Sequence, residues 1–226
     1  MKRQLKRMSV LAFAIILALQ PVSVVQASAR SNAANVLKYY KKGDISKAKK
    51  YNKKLAKKAS KSCIKKLSKK AKAAYRKAVS SYSFNQGRST MKSLWGYYLA
   101  DLDGDKKAEL MVRHGTCEAD VQTTVYKYKN GKAKRIGTIY SGHTTYYDYP
   151  GNAGVISVEG HMGYEAVSTL SMKGGKLKQK NYGARDLNKT FTSSKGADWF
   201  PFRQQLDDHI KYDAKYHASL ILKDLK

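Results

Sequence analysis

Asp101, Asp103, Asp105 and Glu109 fall within the run Asp101-Leu102-Asp103-Gly104-Asp105-Lys106-Lys107-Ala108-Glu109-Leu110-Met111-Val112. Three carboxylates at alternate positions, with a fourth four residues later, present hard oxygen donors to one cation. Ca²⁺ takes about six to eight such oxygens at about 2.3–2.6 Å, and a short flexible loop suits it better than it suits Mg²⁺. Counted from Asp101, the side chains of Asp103 and Asp105 fill positions 3 and 5, the carbonyl of Lys107 position 7, and Glu109 position 9. An EF-hand is excluded, because it needs Gly at position 6 and a bidentate Glu at position 12, where this chain has Lys106 and Val112. The expected ligand is one structural Ca²⁺. The plainer alternative is a solvated acidic turn, since Asp and Gly are ordinary turn residues.

Other reactive side chains are more scattered. His114, Cys117, Glu118 and Asp120 lie close in sequence, and His143, Glu159, His161 and Glu165 follow downstream. A Cys–His pair could make a thiol nucleophile, and two glutamates could serve glycoside hydrolysis. A secreted hydrolase using His114, Cys117, Glu118 or His161 is therefore the rival reading. No serine-hydrolase elbow, zinc-protease helix or phosphate loop is present, so no catalytic residue is assigned. Cys63 and Cys117 are either a disulfide or two independent thiols, and two cysteines cannot build a four-thiolate zinc site.

The elements that must position these groups follow an apparent export signal. Lys2, Arg3, Lys6 and Arg7 precede an uncharged apolar run from Val10 to Leu19, and Ala27-Ser28-Ala29 offers small residues for cleavage. This is the layout of a secretory signal peptide over residues 1–29, with the mature chain starting near Arg30. The run is shorter than the roughly 20 residues a bilayer span needs, and no membrane span is expected in the mature chain. The expected location is extracellular, with cell-wall association through charge.

Charge divides the remainder. The chain carries a net +29. Residues 30–80 hold 17 Lys and two Arg against Asp44 alone, whereas residues 81–226 hold 22 basic and 15 acidic residues. In the basic segment Ala48, Tyr51, Leu55, Ala59, Cys63, Leu67, Ala71, Tyr75 and Ala78 recur at helical spacing. Lys49, Lys50, Lys53, Lys54, Lys57, Lys58, Lys65, Lys66, Lys69 and Lys70 fill the other side. Two or three helices are expected over residues 30–84, one from about Ala33 to Lys42 with Gly43-Asp44 as its stop and the next cap, and a break near Ser60 or Ser62. Like charges four apart repel by roughly 0.2–0.5 kcal/mol per pair. The lysine face is either a solubilising surface or a non-specific polyanion-binding one, for wall teichoic acid, extracellular nucleic acid or acidic glycans. Sequence-specific nucleic-acid readout is excluded, because no helix-turn-helix, zinc-finger or RNP-like motif occurs.

Residues 85–226 read as a β-rich domain with C-terminal helices. Strands are expected at Leu94–Ala100, Glu109–His114, Val121–Lys129, Lys134–Tyr140, Val155–Glu159, Tyr164–Met172 and Leu177–Tyr182. Asn130-Gly131 and Gly174-Gly175 are hairpin turns. Residues from Trp199 to Ile221 carry a helical apolar pattern. The expected class is α+β: a Lys-rich helical N-terminal region, then an antiparallel β-meander or small sandwich, then a C-terminal helix.

The strand–loop–strand setting of Asp101, Asp103, Gly104, Asp105 and Glu109 resembles the calcium hairpins of FG-GAP and VCBS-type repeats, whose pattern is D-x-D-G-D-G-x-x-D. Lys106 stands where that pattern has a second Gly, and Glu109 where it has the last Asp. The pattern occurs once, so a propeller does not follow. The wider run around Gly96–Asp101, Gly115–Asp120, Tyr126–Lys132 and Gly160–Glu165 is similar to uncharacterised secreted proteins of Gram-positive gut anaerobes. That likeness implies the same compartment and brings no activity. The combined expectation is a secreted calcium-binding structural or binding protein acting outside the cell through its basic surface.

Overall fold

Strands that bury successive residues leave neither face of their sheet in water, and that requirement sets the architecture here. The computed structural model describes residues 24–57, 67–82, 91, 94–149 and 151–186. It contains helices α1 (Val24–Lys41), α2 (Ile45–Lys57) and α3 (Lys69–Val79). Eight strands follow: β1 (Leu94–Ala100), β2 (Glu109–His114), β3 (Gln122–Lys129), β4 (Lys132–Tyr140), β5 (Thr144–Asp148), β6 (Val155–His161), β7 (Tyr164–Lys173) and β8 (Lys176–Asp186). They form two antiparallel four-stranded meanders, β1-β2-β3-β4 and β5-β6-β7-β8.

The two sheets pack face to face. Tyr98, Ala100, Met111 and Val125 of the first meet Tyr146, Val155, Leu170 and Met172 of the second. Because side chains alternate along a strand, the neighbours of these residues face outward. Tyr97, Leu110 and Val112 therefore meet Tyr75 and Val79 of α3. On the far side, Tyr147, Ile156, Val158 and Val167 meet Ala33, Val36, Leu37 and Tyr40 of α1 and Ala48 of α2. The result is four layers, with helices covering both outer faces of a β-sandwich.

Local chemistry explains the helix ends. Gly43, at φ +74°, stops α1 in a conformation that costs glycine little. Asp44 then caps α2 by accepting from the Lys47 amide at 3.0 Å. Ser68 caps α3 by accepting from the Ala71 amide at 3.1 Å. One buried polar cluster locks α1 to the second sheet. Arg185 donates to Glu165 Oε1 through Nε at 2.9 Å, and the Tyr40 hydroxyl donates to the same oxygen at 3.0 Å.

The mixed α+β class and the meander arrangement agree with the expectation. All seven expected strands are present, and β5 is an eighth that the pattern did not reveal. The first helix begins at Val24 rather than near Ala33 and so runs through the expected cleavage point near Ala29. Its buried residues Ala33, Val36, Leu37 and Tyr40 all lie beyond that expected point. The expected signal segment before residue 24, the expected break near Ser60 or Ser62, and the expected C-terminal helices fall outside the described residues.

Candidate metal centre

The acidic loop joins β1 to β2 at one end of the sandwich, and three kinds of contact fix it there. Its backbone bonds across to the second sheet: the Asp101 carbonyl accepts from Gly154 N at 2.8 Å, and the Leu102 carbonyl accepts from Met172 N at 2.7 Å. Leu102 itself is fully buried in the core between the sheets. Tyr75 of α3 supports the loop from the other side. Its hydroxyl donates to the Ala108 carbonyl and accepts from the Tyr128 amide, each at 2.9 Å.

Within the loop, carboxylates collect backbone donors. Asp101 accepts from Gly104 N at 2.7 Å through Oδ1 and from Lys106 N at 2.9 Å through Oδ2. Asp105 accepts from Lys107 N at 2.8 Å. Glu109 Oε2 accepts from Leu102 N at 2.7 Å. Closing the loop puts Lys106 at φ +63°, the left-handed region where the resembled pattern carries Gly.

Oxygens of Asp101, Asp103 and Glu109 lie within 4.8 Å of one another. Two opposed Ca–O bonds of about 2.4 Å would span that width. Asp105 joins the group through a residue that sequence reasoning missed. Lys127 of β3 sends its ammonium to Asp103 Oδ2 at 2.6 Å, Asp105 Oδ2 at 3.0 Å and Glu109 Oε1 at 2.8 Å. One cation therefore already stands against three of the four carboxylates. It sets one positive charge against three of the four carboxyl groups. Lys107, expected to offer its carbonyl, contributes its amide to Asp105 and an exposed ammonium 4.0 Å from the same carboxylate.

The electrostatics express this imbalance. Burial opposes the charged form of Lys127, but its hydrogen bonds to Asp103, Glu109 and Asp105 outweigh that and hold it well above the ordinary lysine value. Burial also raises Glu109, to about 7, with the negative charge of Asp103 adding to the rise against the pull of Lys127 and the Leu102 amide. Asp105 is held low: burial opposes this, but the hydrogen bonds from Lys127 and the Lys107 amide prevail. The donor set is entirely hard oxygen, its spacing fits a divalent ion, and its charge is undercompensated. These residues fit Ca²⁺.

The remaining site residues separate. Lys49, Lys50 and Lys54 are exposed on α2, to which Lys53 and Lys57 also belong, over the outer face of the second sheet. Lys69 and Lys70 are exposed at the start of α3, over the first sheet. Lys58, Lys65 and Lys66 lie outside the described residues. The basic run thus supplies two opposite faces rather than one. Cys117 is an exposed free thiol, and Cys63, which the disulfide alternative would pair with it, lies outside the described residues.

The hydrolase set also divides. His114 faces the α3 side, its Nδ1 2.7 Å from the Met91 carbonyl and its Nε2 2.8 Å from Thr124 Oγ1. Burial lowers its pKa, which favours the neutral ring. It borders a cleft of about 270 Å³ with Tyr82, Gln122, Tyr126 and Arg135. His161, by contrast, is exposed at the end of β6 in the other sheet, where its ring stacks on His143. His143 Nδ1 lies 3.6 Å from Glu118 Oε1 in the short turn after β2, so His161 and Glu118 meet around His143 while His114 stays on the α3 side.

No family model matches the sequence, no curated protein matches it, and no solved structure matches the fold.

Proposed function

We propose that the chain is a secreted calcium-binding structural module whose basic helices bind anionic polymers outside the cell. One structural Ca²⁺ would be held by Asp101, Asp103, Asp105, Glu109 and the carbonyl of Lys107. The observation that supports this reading is a pair of overlapping groups: oxygens of Asp101, Asp103 and Glu109 lie within 4.8 Å of one another, and the single ammonium of Lys127 contacts Asp103, Asp105 and Glu109. The loop also bonds to both sheets, so an ion there would staple the sandwich, which supports a structural role over a catalytic one. Extracellular Ca²⁺ modules work at about 10⁻⁴–10⁻³ M, so a site with an internal competitor still fills outside the cell. The export layout at residues 1–29 supports the same compartment.

The polyanion part rests on charge density. With α2 and α3 on opposite faces, a flexible polymer such as wall teichoic acid or an acidic glycan would wrap the protein or bridge two copies. Binding of that kind weakens steeply with salt.

The deciding experiment is thermal unfolding of residues 30–226 in EDTA and in millimolar Ca²⁺, with Asp103→Ala as control. Ca²⁺ should raise the melting point of the wild type and leave the variant unmoved. Equal melting points for the wild type in the two buffers would reject the site.

A further inference from the structure

The opposite end of the second sheet holds an arrangement that its packing does not require. His143, between β4 and β5, and His161, the last residue of β6, lie face to face with ring centroids 3.9 Å apart and planes 11° from parallel. Glu118 Oε1 stands 3.6 Å from His143 Nδ1. The backbone holds His143 in place at both ends. Its amide donates to the Glu118 carbonyl at 3.3 Å, and its carbonyl accepts from the Gly160 amide at 3.0 Å. The preceding Gly142 is required there, since a Cβ on it would collide with the Tyr140 hydroxyl and the Ala119 carbonyl.

Two non-glycine residues in this corner occupy the left-handed region. His143 has φ +48°, and Met162, which follows His161, has φ +47°. Met162 and Gly163 form a two-residue hairpin turn in which Asn, Asp or Gly is the usual first residue. Met162 is 87% exposed, and His161 is exposed beside it. Strain held at the exposed Met162 and the partly buried His143, neither of which belongs to a hydrophobic core cluster, marks a place where something other than stability selects the side chains.

We propose that His143, His161 and Glu118 form a second metal site, for a late transition ion such as Zn²⁺ or Cu²⁺. Two imidazoles and one carboxylate are borderline donors that suit these ions, in contrast to the all-oxygen loop at the other site. Stacked rings point their lone pairs side by side. As they stand, the donor atoms of the three residues do not all come within 4.8 Å of one another, so one ring must turn about its broad terminal torsion to share an ion, and His161 carries the exposed ring. The bound ion would join the β4–β5 corner, the β6–β7 hairpin and the short turn after β2. Its open positions would take water or a donor from another molecule.

The test is calorimetric titration of the full chain with Zn²⁺, and then Cu²⁺, slightly above neutral pH in excess Ca²⁺. One ion per chain is expected. His161→Gln should weaken binding by at least roughly tenfold, the low end of what losing even an outer-shell partner costs. Asp103→Asn and Cys117→Ser should leave it unchanged. If His143→Gln fails to fold, the exposed His161→Gln reads the same question. Long-range ¹H–¹⁵N spectra should show both rings shifting together on titration. Retained affinity in His161→Gln, or loss in Asp103→Asn or Cys117→Ser, would overturn the proposal.

Discussion

Replacing Lys127 with Met keeps the aliphatic stem and removes the ammonium. That ammonium touches three carboxylates at 2.6, 2.8 and 3.0 Å, and the Glu109 side chain is only 1% exposed. At an effective dielectric of about 20, one such contact is worth roughly 6 kcal/mol before desolvation, and lost hydration takes most of it back. Removing one partner of a buried pair costs a net of about 3–5 kcal/mol. Lys127 and Asp103 each keep 24% of their side-chain surface, so the low end applies, roughly 3 kcal/mol. In EDTA, Lys127→Met should therefore melt roughly 6–12 °C below the wild type. Ca²⁺ should close most of that gap. In the variant the ion no longer has to displace an ammonium, so it should bind up to about 100-fold more tightly. Differential scanning fluorimetry across a Ca²⁺ series reads both effects. A surface lysine with no structural role would cost less than about 1 kcal/mol. A variant that melts with the wild type in EDTA would refute the account of Lys127, and one that gains no Ca²⁺ affinity would refute the shared position.

Further tests address the loop and its supports. Glu109 is raised to about 7 by burial, so between pH 4.5 and 7 the native state holds a proton that the unfolded chain has released. Its contribution is complete below about pH 4.5 and is lost as pH rises through 7, so metal-free stability in urea should fall by about 3 kcal/mol over that window. Ca²⁺ affinity should rise over the same window, because the ion competes with that proton. Lys106→Gly removes a left-handed non-glycine residue and should stabilise the protein by about 1 kcal/mol, or roughly 2–4 °C. Tyr75→Phe leaves the buried Ala108 carbonyl and the Tyr128 amide without their hydroxyl, which should cost roughly 2–3 kcal/mol in urea unfolding. Tyr82→Phe, whose hydroxyl bonds the part-buried Tyr126 hydroxyl, should cost less than about 1 kcal/mol.

Much of the fold was legible because local chemistry and burial agree. Leu94–Ala100 and Glu109–His114 match the expected strands to the residue. Gly43-Asp44 acts as the helix stop and cap that its residue types imply. The strand β5 was hidden because Thr144-Thr145-Tyr146-Tyr147-Asp148 is short and lies between two turn-forming stretches, Gly142-His143 and Pro150-Gly151. Tyr146 and Tyr147 nevertheless bury themselves on opposite faces, one between the sheets and one under α1. The placement of the basic helices was also hidden. Periodicity gives each helix an apolar stripe but does not name the sheet that stripe will meet. Ala33, Val36, Leu37 and Tyr40 find one sheet, while Tyr75 and Val79 find the other.

The same limit governs the candidate metal centre. Four carboxylates within nine residues form a local signal, and their convergence follows from the turn that Gly104 and Lys106 make. Lys127 gives no such signal. It is one of 45 basic residues, 18 positions beyond Glu109, and only the antiparallel register of β2 with β3 brings it back to the loop. Charge arithmetic in sequence space pointed to an excess of lysine as a surface property of the N-terminal region. In the folded chain, one lysine of the β-domain is the internal counter-ion of the acidic loop. On the proposed reading the loop does not have to wait for metal to fold: Lys127 would meet enough of its charge to close it and leave enough unmet for a divalent ion to compete. That balance predicts a site whose occupancy adjusts stability over a graded range, rather than one whose emptying unfolds the protein.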